Sequence, residues 1–349
     1  MFPIPFKQIL TVAVAASLVV MTVRSNQDCL ATNDLASESG VYKVIKRDKS
    51  DLTGASALGF LSGGKEAFVI WDKSIENWDV KLWRRKAIIA KCDDTIEDAT
   101  YSYDKNIFAS RTVGGVIQLW DLQRARELKK FEKQNAPIRG LDFSPNGEIF
   151  GFADSDGRIS LWNIKAARSY ATFAQKQEIY CIRFFPDGKT IVSGNADGSV
   201  SLWDVPSKKK ILSFPAHGSE ILSLLFAREG KMLVTGSFDG SIKLWDLSQM
   251  PPKNVKFFRG QNNRVITLLA SPNGGIMTSI DDKSVNLWDL KSLKYLGKLK
   301  PHNGRIEAIA FSHDGKLFLS ADGHEIRLWD AQMPPFSEPA SNKNQPGRK

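Results

Sequence analysis

Between Ser219 and Asp246 the chain reads SEILSLLFAREGKMLVTGSFDGSIKLWD, three apolar runs rich in β-branched and aromatic residues with two polar breaks. Short runs bounded by Gly, Asp and charged residues predict strands, and the breaks Arg-Glu-Gly and Asp-Gly predict the tight turns of antiparallel hairpins. A fourth run follows in the same manner elsewhere, as in Lys210-Ile-Leu-Ser-Phe214 after Trp203. Gly and Asp punctuate the chain every 10–12 residues, which leaves no room for long helices. Four strands with both faces largely apolar are not stable alone. They need neighbouring sheets on either side.

The same pattern recurs. Leu-Trp places Trp at positions 83, 120, 162, 203, 245, 288 and 329, at intervals of 37, 42, 41, 42, 43 and 41 residues. Most copies follow a tight-turn signal and precede Asp. DGSVSLWD at 197–204 and DGSIKLWD at 239–246 are the clearest, Asp156-Gly157 leads to Trp162, and Asp282-Lys283 leads to Trp288. One marker at so regular a period signals stacked supersecondary units.

These motifs resemble the WD-repeat family, over residues 41–331. The resemblance implies an all-β, seven-bladed β-propeller of four-stranded antiparallel blades at residues 41–332, a monomeric, non-catalytic scaffold for protein partners. With the strands of a blade lettered a to d from the axis outwards, each Trp ends strand c. By the family's overlap closure, the orphan strand from Val41 to Lys46 is expected to pair with Glu325–Trp329, since no fourth strand follows Asp330. Counting from Trp83 makes 71–78 an insertion of about four residues in the first blade's b–c loop, with Trp71 and Trp78 packing locally.

The family also implies a structural hydrogen-bond network joining a His before strand a to a turn Asp, a strand-b hydroxyl and the strand-c Trp. Here the sets are His217, Ser237, Asp239 and Trp245, and His302, Ser320, Asp322 and Trp329. Gln134, Gln175 and Gln261 stand at the His register elsewhere, keeping an amide donor for a carboxylate. Cys92 and Gly114 occupy these positions in the blade ending at Trp120. Read together, His, Asp and Ser look like a hydrolase triad, but a position where Gln replaces His is incompatible with a general base. Exported propellers also include hydrolases and quinoprotein dehydrogenases, whose carboxylates or cofactor ligands converge on the axis. No such set appears at the central-strand positions that align.

No metal or cofactor is expected. The four His residues (217, 302, 313 and 324) lack ligand spacing, and Asp154-Ser-Asp156-Gly is too sparse for a calcium loop. Cys92 and Cys181 fall two blades apart, which predicts free thiols.

The chain's 349 residues are 42% hydrophobic and 25% charged, which fits a folded body and excludes a disordered one. Its 48 Lys and Arg against 38 Asp and Glu give a formal charge of +10. The cations collect after each Trp, as in Arg84-Arg85-Lys86, Lys129-Lys130 and Lys208-Lys209-Lys210. In a propeller that is the face of the a–b and c–d turns and the outer rim. Lys208, Lys209 and Lys210 are therefore a candidate basic rim for an anionic membrane surface, acidic protein or polyanion. Aromatics are not interleaved with them, so nucleic acid is not expected. The opposite face, with the b–c and d–a loops, is the family's usual recognition face. Its register positions here are Thr95, Glu178, Glu220, Arg264 and Arg305, with Phe238 as the apolar anchor.

Ile9 to Val23 is a run of fifteen residues without a charge, after Lys7 and before Arg24. It is short for the roughly 20 residues of a membrane-spanning helix and fits the roughly 7–15 of a signal-peptide core. Cys29-Leu30-Ala31 offers small residues for cleavage. Residues 1–24 are expected to be a signal peptide or short membrane anchor, 25–40 a linker, and 333–349 a disordered tail. The protein is then exported (periplasmic or secreted) or membrane-anchored, with cleavage and retention both open.

Overall fold

The structure, a computed structural model, describes residues 29–31, 41–47 and 55–331, apart from 62–63, 103–105, 259–263, 282, 300–301 and 323. Its strands form seven antiparallel sheets. Six are built from four consecutive strands each, at residues 55–91, 96–130, 138–174, 179–215, 221–258 and 267–298, here blades one to six. Blade seven contains Ile306–Phe311, Leu317–Asp322 and Glu325–Asp330. Its Ile306–Phe311 lies against Ala55–Phe60 of blade one, so the sheets form a ring. The fold is the expected all-β, seven-bladed propeller.

Outside Glu325–Asp330 lies the N-terminal strand Val41–Arg47, antiparallel to it, with Val41 opposite Trp329 and Ile45 opposite Ile326. Cys29–Ala31, within the stretch read as a linker, pairs in turn with Val41–Arg47. Residues 1–24, the rest of 25–40, and 333–349 lie outside the described residues. Among the described residues no helix is long and apolar enough to cross a membrane.

The core lies between blades. Ile179, Ile182 and Phe184 of blade four pack with Ala153, Ile159 and Leu161 of blade three, and Val192, Val200 and Leu202 pack with Ile221, Leu224 and Leu233 of blade five. Strands a to c are mostly buried, whereas the outer Arg126–Lys130 is exposed throughout. Charged outer strands discourage pairing with other chains. At the b–c turns, Gly198 has φ +76°, and a Cβ there would collide with the His217 carbonyl. Only Gly meets both demands.

The first blade corrects the Trp count. In blades three to six the c–d ladder slips between the Leu and the Trp, as at Leu202/Trp203 and Leu244/Trp245. In blade one a slip falls at Asn77/Trp78. Trp78 therefore ends strand c (Ser74–Asp79), and Trp71 pairs with Ser74 across a tight turn, so 71–78 holds no insertion. Trp83 sits instead in the c–d turn, at φ +49°, its amide donating to the Asp79 carbonyl (2.7 Å). From Trp78 to Trp120 is 42 residues, the spacing of the other blades.

Candidate functional site at the axial cavity

The inner strands converge on the axis and leave a cavity of about 500 Å³ at the end bearing the b–c and d–a loops. Blades two to seven contribute to its lining. Of the residues expected on this face, Glu220, Phe238, Arg264 and Arg305 line it. Thr95 and Glu178 are not brought in. Thr95 donates its hydroxyl to Asp72 (2.6 Å), and Glu178 pairs with Arg139 (3.3 Å).

The backbone around Phe238 is fixed. Its amide donates to the Glu220 carbonyl (2.9 Å), and the Val265 amide donates to the Ser237 carbonyl (2.9 Å), tying the turn to two d–a loops. The ring is 50% exposed, with the Arg264 guanidinium 5.9 Å from its centroid. A second such pair, Arg139 over Tyr180 (5.2 Å), lies on the same lining. Each keeps a cation against an aromatic face.

Deeper charges escaped the sequence reading. Arg183 bonds Asp142 (3.2 Å), whose other oxygen accepts the Phe184 amide (2.7 Å). Arg111 bonds Glu97 (2.5 Å) and lies 3.7 Å from Asp98. Burial pushes the Asp98 carboxyl up to about 7, against the pull of Arg111. Charges inside apolar strands, Asp142 in IRGLDF and Arg183 in IYCIRF, were the available signal. Cys181 also lines the cavity, but burial pushes its thiol up to about 12, so it is no thiolate nucleophile at neutral pH.

The His networks lie within the blades. In blade seven, His302 Nε2 meets Ser320 Oγ (2.7 Å), the Trp329 indole donates to the same oxygen (2.7 Å), and His302 Nδ1 lies 3.4 Å from Asp322. Burial works to raise the Asp322 carboxyl, but His302 and the amides of Gly304 and His324 hold it well below the usual range. The trio has the order of a hydrolase triad, yet Ser320 is fully buried and its oxygen is already engaged. No substrate reaches it.

In blade five the hydroxyl is not that of Ser237. His217 Nε2 meets Thr235 Oγ1 (2.6 Å), the Trp245 indole donates to it (3.0 Å), and His217 Nδ1 meets Ser241 Oγ (2.8 Å), with Asp239 at 3.5 Å. Ser237 sits two residues on and accepts the Asp239 amide (3.2 Å). Burial pushes His217 down to about 4, so it is neutral at pH 7.

Elsewhere the register residues diverge. Gln175 donates to Asn195 (2.7 Å) and accepts from Ser201 (3.1 Å). Among the described residues Gln134 donates to the Glu132 carbonyl (2.6 Å), and Gln261 lies outside them. Cys92 contacts Ser110 (3.8 Å), which accepts the Trp120 indole (3.1 Å), and the Gly114 amide donates to Asp94 (2.8 Å).

The family model described as WD domain, G-beta repeat matches residues 168–204, 208–246 and 293–330, each segment ending on the Asp after its Trp. That of the anaphase-promoting complex subunit 4 WD40 domain matches 99–185. The chain belongs to the WD-repeat family. No curated protein matches it.

Two remaining features of this WD-repeat protein compete with the cavity. Among the described residues, His302, Asp322 and Glu325 bring ligand-type atoms within 4.8 Å of one another. Arg327 already bonds Glu325 (2.6 Å), and the other two belong to the blade-seven network. On the rim, Lys208 lies over Tyr170 (5.5 Å) and Lys210 over Trp203 (5.0 Å), where burial lowers the Lys210 ammonium. All three lysines of this run, Lys209 included, are exposed. Outer-strand cations of blades one and two pair with acids, Arg85 with Glu76 (2.9 Å) and Lys130 with Asp93 (2.7 Å). Much of the basic rim is thus laid along its own sheets.

Proposed function

We propose that this WD-repeat propeller is a non-catalytic scaffold that docks a protein partner on the cavity end, and that it works outside the cytoplasm or tethered to a membrane through the apolar segment at 9–23. The observation that carries the docking face is Phe238, a half-exposed aromatic on a hydrogen-bonded turn beside a recess. Rigid exposed aromatics next to pockets are the usual anchors of interfaces. Affinity capture with the full chain tests this. Phe238→Ala and Arg264→Glu should each deplete the captured partners, and full retention by both would overturn the assignment. Export is tested by fractionating cells and sequencing the mature N-terminus.

The exposed Lys209 beside Lys208 and Lys210 favours a second reading, an assembly factor held to anionic surfaces by its rim. Salt-sensitive binding to anionic vesicles that disappears on charge reversal of these three lysines would support it.

A further inference from the structure

The outer strands of blades four, five and six mix lysine with exposed apolar side chains and hold no acid. They read KKILSFP at 209–215, KNVKFF at 253–258 and KYLGK at 294–298. Lys209, Lys210, Lys253, Lys256 and Lys294 are exposed, and so are Ile211, Val255, Phe257 and Tyr295. Met250, in the turn leading into the blade-five strand, is the most exposed large apolar residue among the described ones, at 58%. Single apolar residues at a surface are ordinary. Here, however, five of the ten exposed large apolar residues fall on one arc of three consecutive blades.

Blades one and two differ. Ile88 and Leu128 are exposed on their outer strands too, but the cations beside them are drawn back by acids, Arg85 by Glu76, Lys86 by Glu66 and Lys130 by Asp93. On the arc the nearby carboxylates are Asp204, Asp246 and Asp289, across the ladder from Lys209, Lys253 and Lys294, and Asp197, which acts on Lys210. Each also accepts an amide of its own turn. Lys256 instead stands opposite Leu244. Since Lys208 and Lys210 lie over Tyr170 and Trp203, the arc is centred on blade five, where Val255 stands between Lys253 and Lys256.

We propose, on the reading that the rim meets an anionic surface, that the ring stands edge-on at a lipid bilayer. Met250, Val255 and Ile211 enter the headgroup layer, and Lys253 and Lys256 lie against the lipid phosphates. The outer strands form the convex edge of the ring. An acidic protein would need a surface shaped to that edge, whereas a bilayer conforms to it and takes isolated apolar side chains one by one. Lysine stems lie along apolar surface while their ammonium groups reach the phosphates. Edge-on contact leaves the cavity end open to the side, free for a partner.

Co-flotation of the full chain with vesicles of phosphatidylcholine, alone or mixed with phosphatidylglycerol, tests the contact. The apolar segment at 9–23 contributes to both, so the readout is the preference for the anionic vesicle. The parent should show that preference, and added salt should weaken it. A Met250→Ser, Val255→Ser double variant should bind the mixed vesicles about tenfold more weakly, and Lys253→Glu with Lys256→Glu should remove the preference. Leu128→Ser, on the outer strand of blade two, should change nothing. No preference in the parent, or unchanged binding by either double variant, would overturn the inference. So would capture of polyphosphate by a chain that ignores the vesicles, since the lysines would then serve a soluble polyanion. Thermal unfolding of both double variants should match the parent. Where it does not, Ile211→Ser must give a several-fold loss or the inference falls. If charge reversal of Lys208, Lys209 and Lys210 alone removes the preference while the blade-five variants keep it, the rim reading stands and the edge-on contact falls. If no rim variant matters, both fall.

Discussion

Blades three and five solve the same problem with different chemistry. Both place a Trp at the end of strand c diagonal to one position on strand b, two residues beyond its ladder partner, Phe152 in blade three and Thr235 in blade five. In blade five the indole and a neutral His share the Thr235 hydroxyl. In blade three there is no hydroxyl to share, and Phe131 packs edge-on against both Trp162 (5.3 Å) and Phe152 (5.6 Å). Blade one is a third case. Val69 holds the strand-b position and Trp78 donates instead to Glu76 (3.0 Å). The polar network is therefore one way of seating the Trp, with aromatic packing in its place in blade three and a buried carboxylate in blade one. That is expected of a structural network and not of a catalytic one, which would tolerate no such exchange.

The two blades should fail differently. Phe131→Ala removes the ring at the centre of the blade-three aromatic set and should cost about 3–5 kcal/mol, read from the urea midpoint. A loss below about 1 kcal/mol would mean that the aromatic set does not seat Trp162. Thr235→Val keeps the shape of its site but leaves a buried indole and imidazole without a common partner, at a cost of about 2 kcal/mol. Ser237→Ala should cost well under that, because Ser237 lies outside the indole contact. Equal costs at 235 and 237 would restore Ser237 to the network.

The third difference is pH. His217 is held near 4 in the folded state against an ordinary value of about 6.5. The unfolded chain binds the extra proton between these limits, so this group's contribution is intact above pH 6.5 and is lost as pH falls towards 4. That amounts to about 3 kcal/mol across the window. Asp98, raised to about 7, works in the opposite sense over much of the same range, so the parent curve mixes both. The informative quantity is the difference between parent and His217→Gln, which introduces the residue type found at 175. The variant should lose stability less steeply between pH 6.5 and 4, and parallel curves would contradict a buried neutral His217.

Much of the ring was legible because the Trp-Asp end of strand c is local in sequence and repeats. The misplaced first blade shows the limit of a marker. Leu82-Trp83 copies the dipeptide, but Trp83 lies in a turn, and only the ladder slip at Asn77/Trp78 identifies the true counterpart. Ser237 was preferred to Thr235 for a similar reason. Residues two apart on a strand share a face, so spacing alone does not say which hydroxyl meets the ring. The cavity lining is harder to read, since its charges come from different blades. Even there a trace existed. Asp142 and Arg183 are 41 residues apart, one repeat, and so stand at the same register in adjacent blades.

The most direct test of the cavity end as the docking face is hydrogen exchange of the full chain, free and with a captured partner bound. Amides should slow around Glu220–Leu222, Phe238–Gly240 and Arg264–Ile266, with those at Val205–Lys209 on the opposite turn unchanged. Protection confined to Val205–Lys209 would contradict the cavity end and assign the partner to the basic rim.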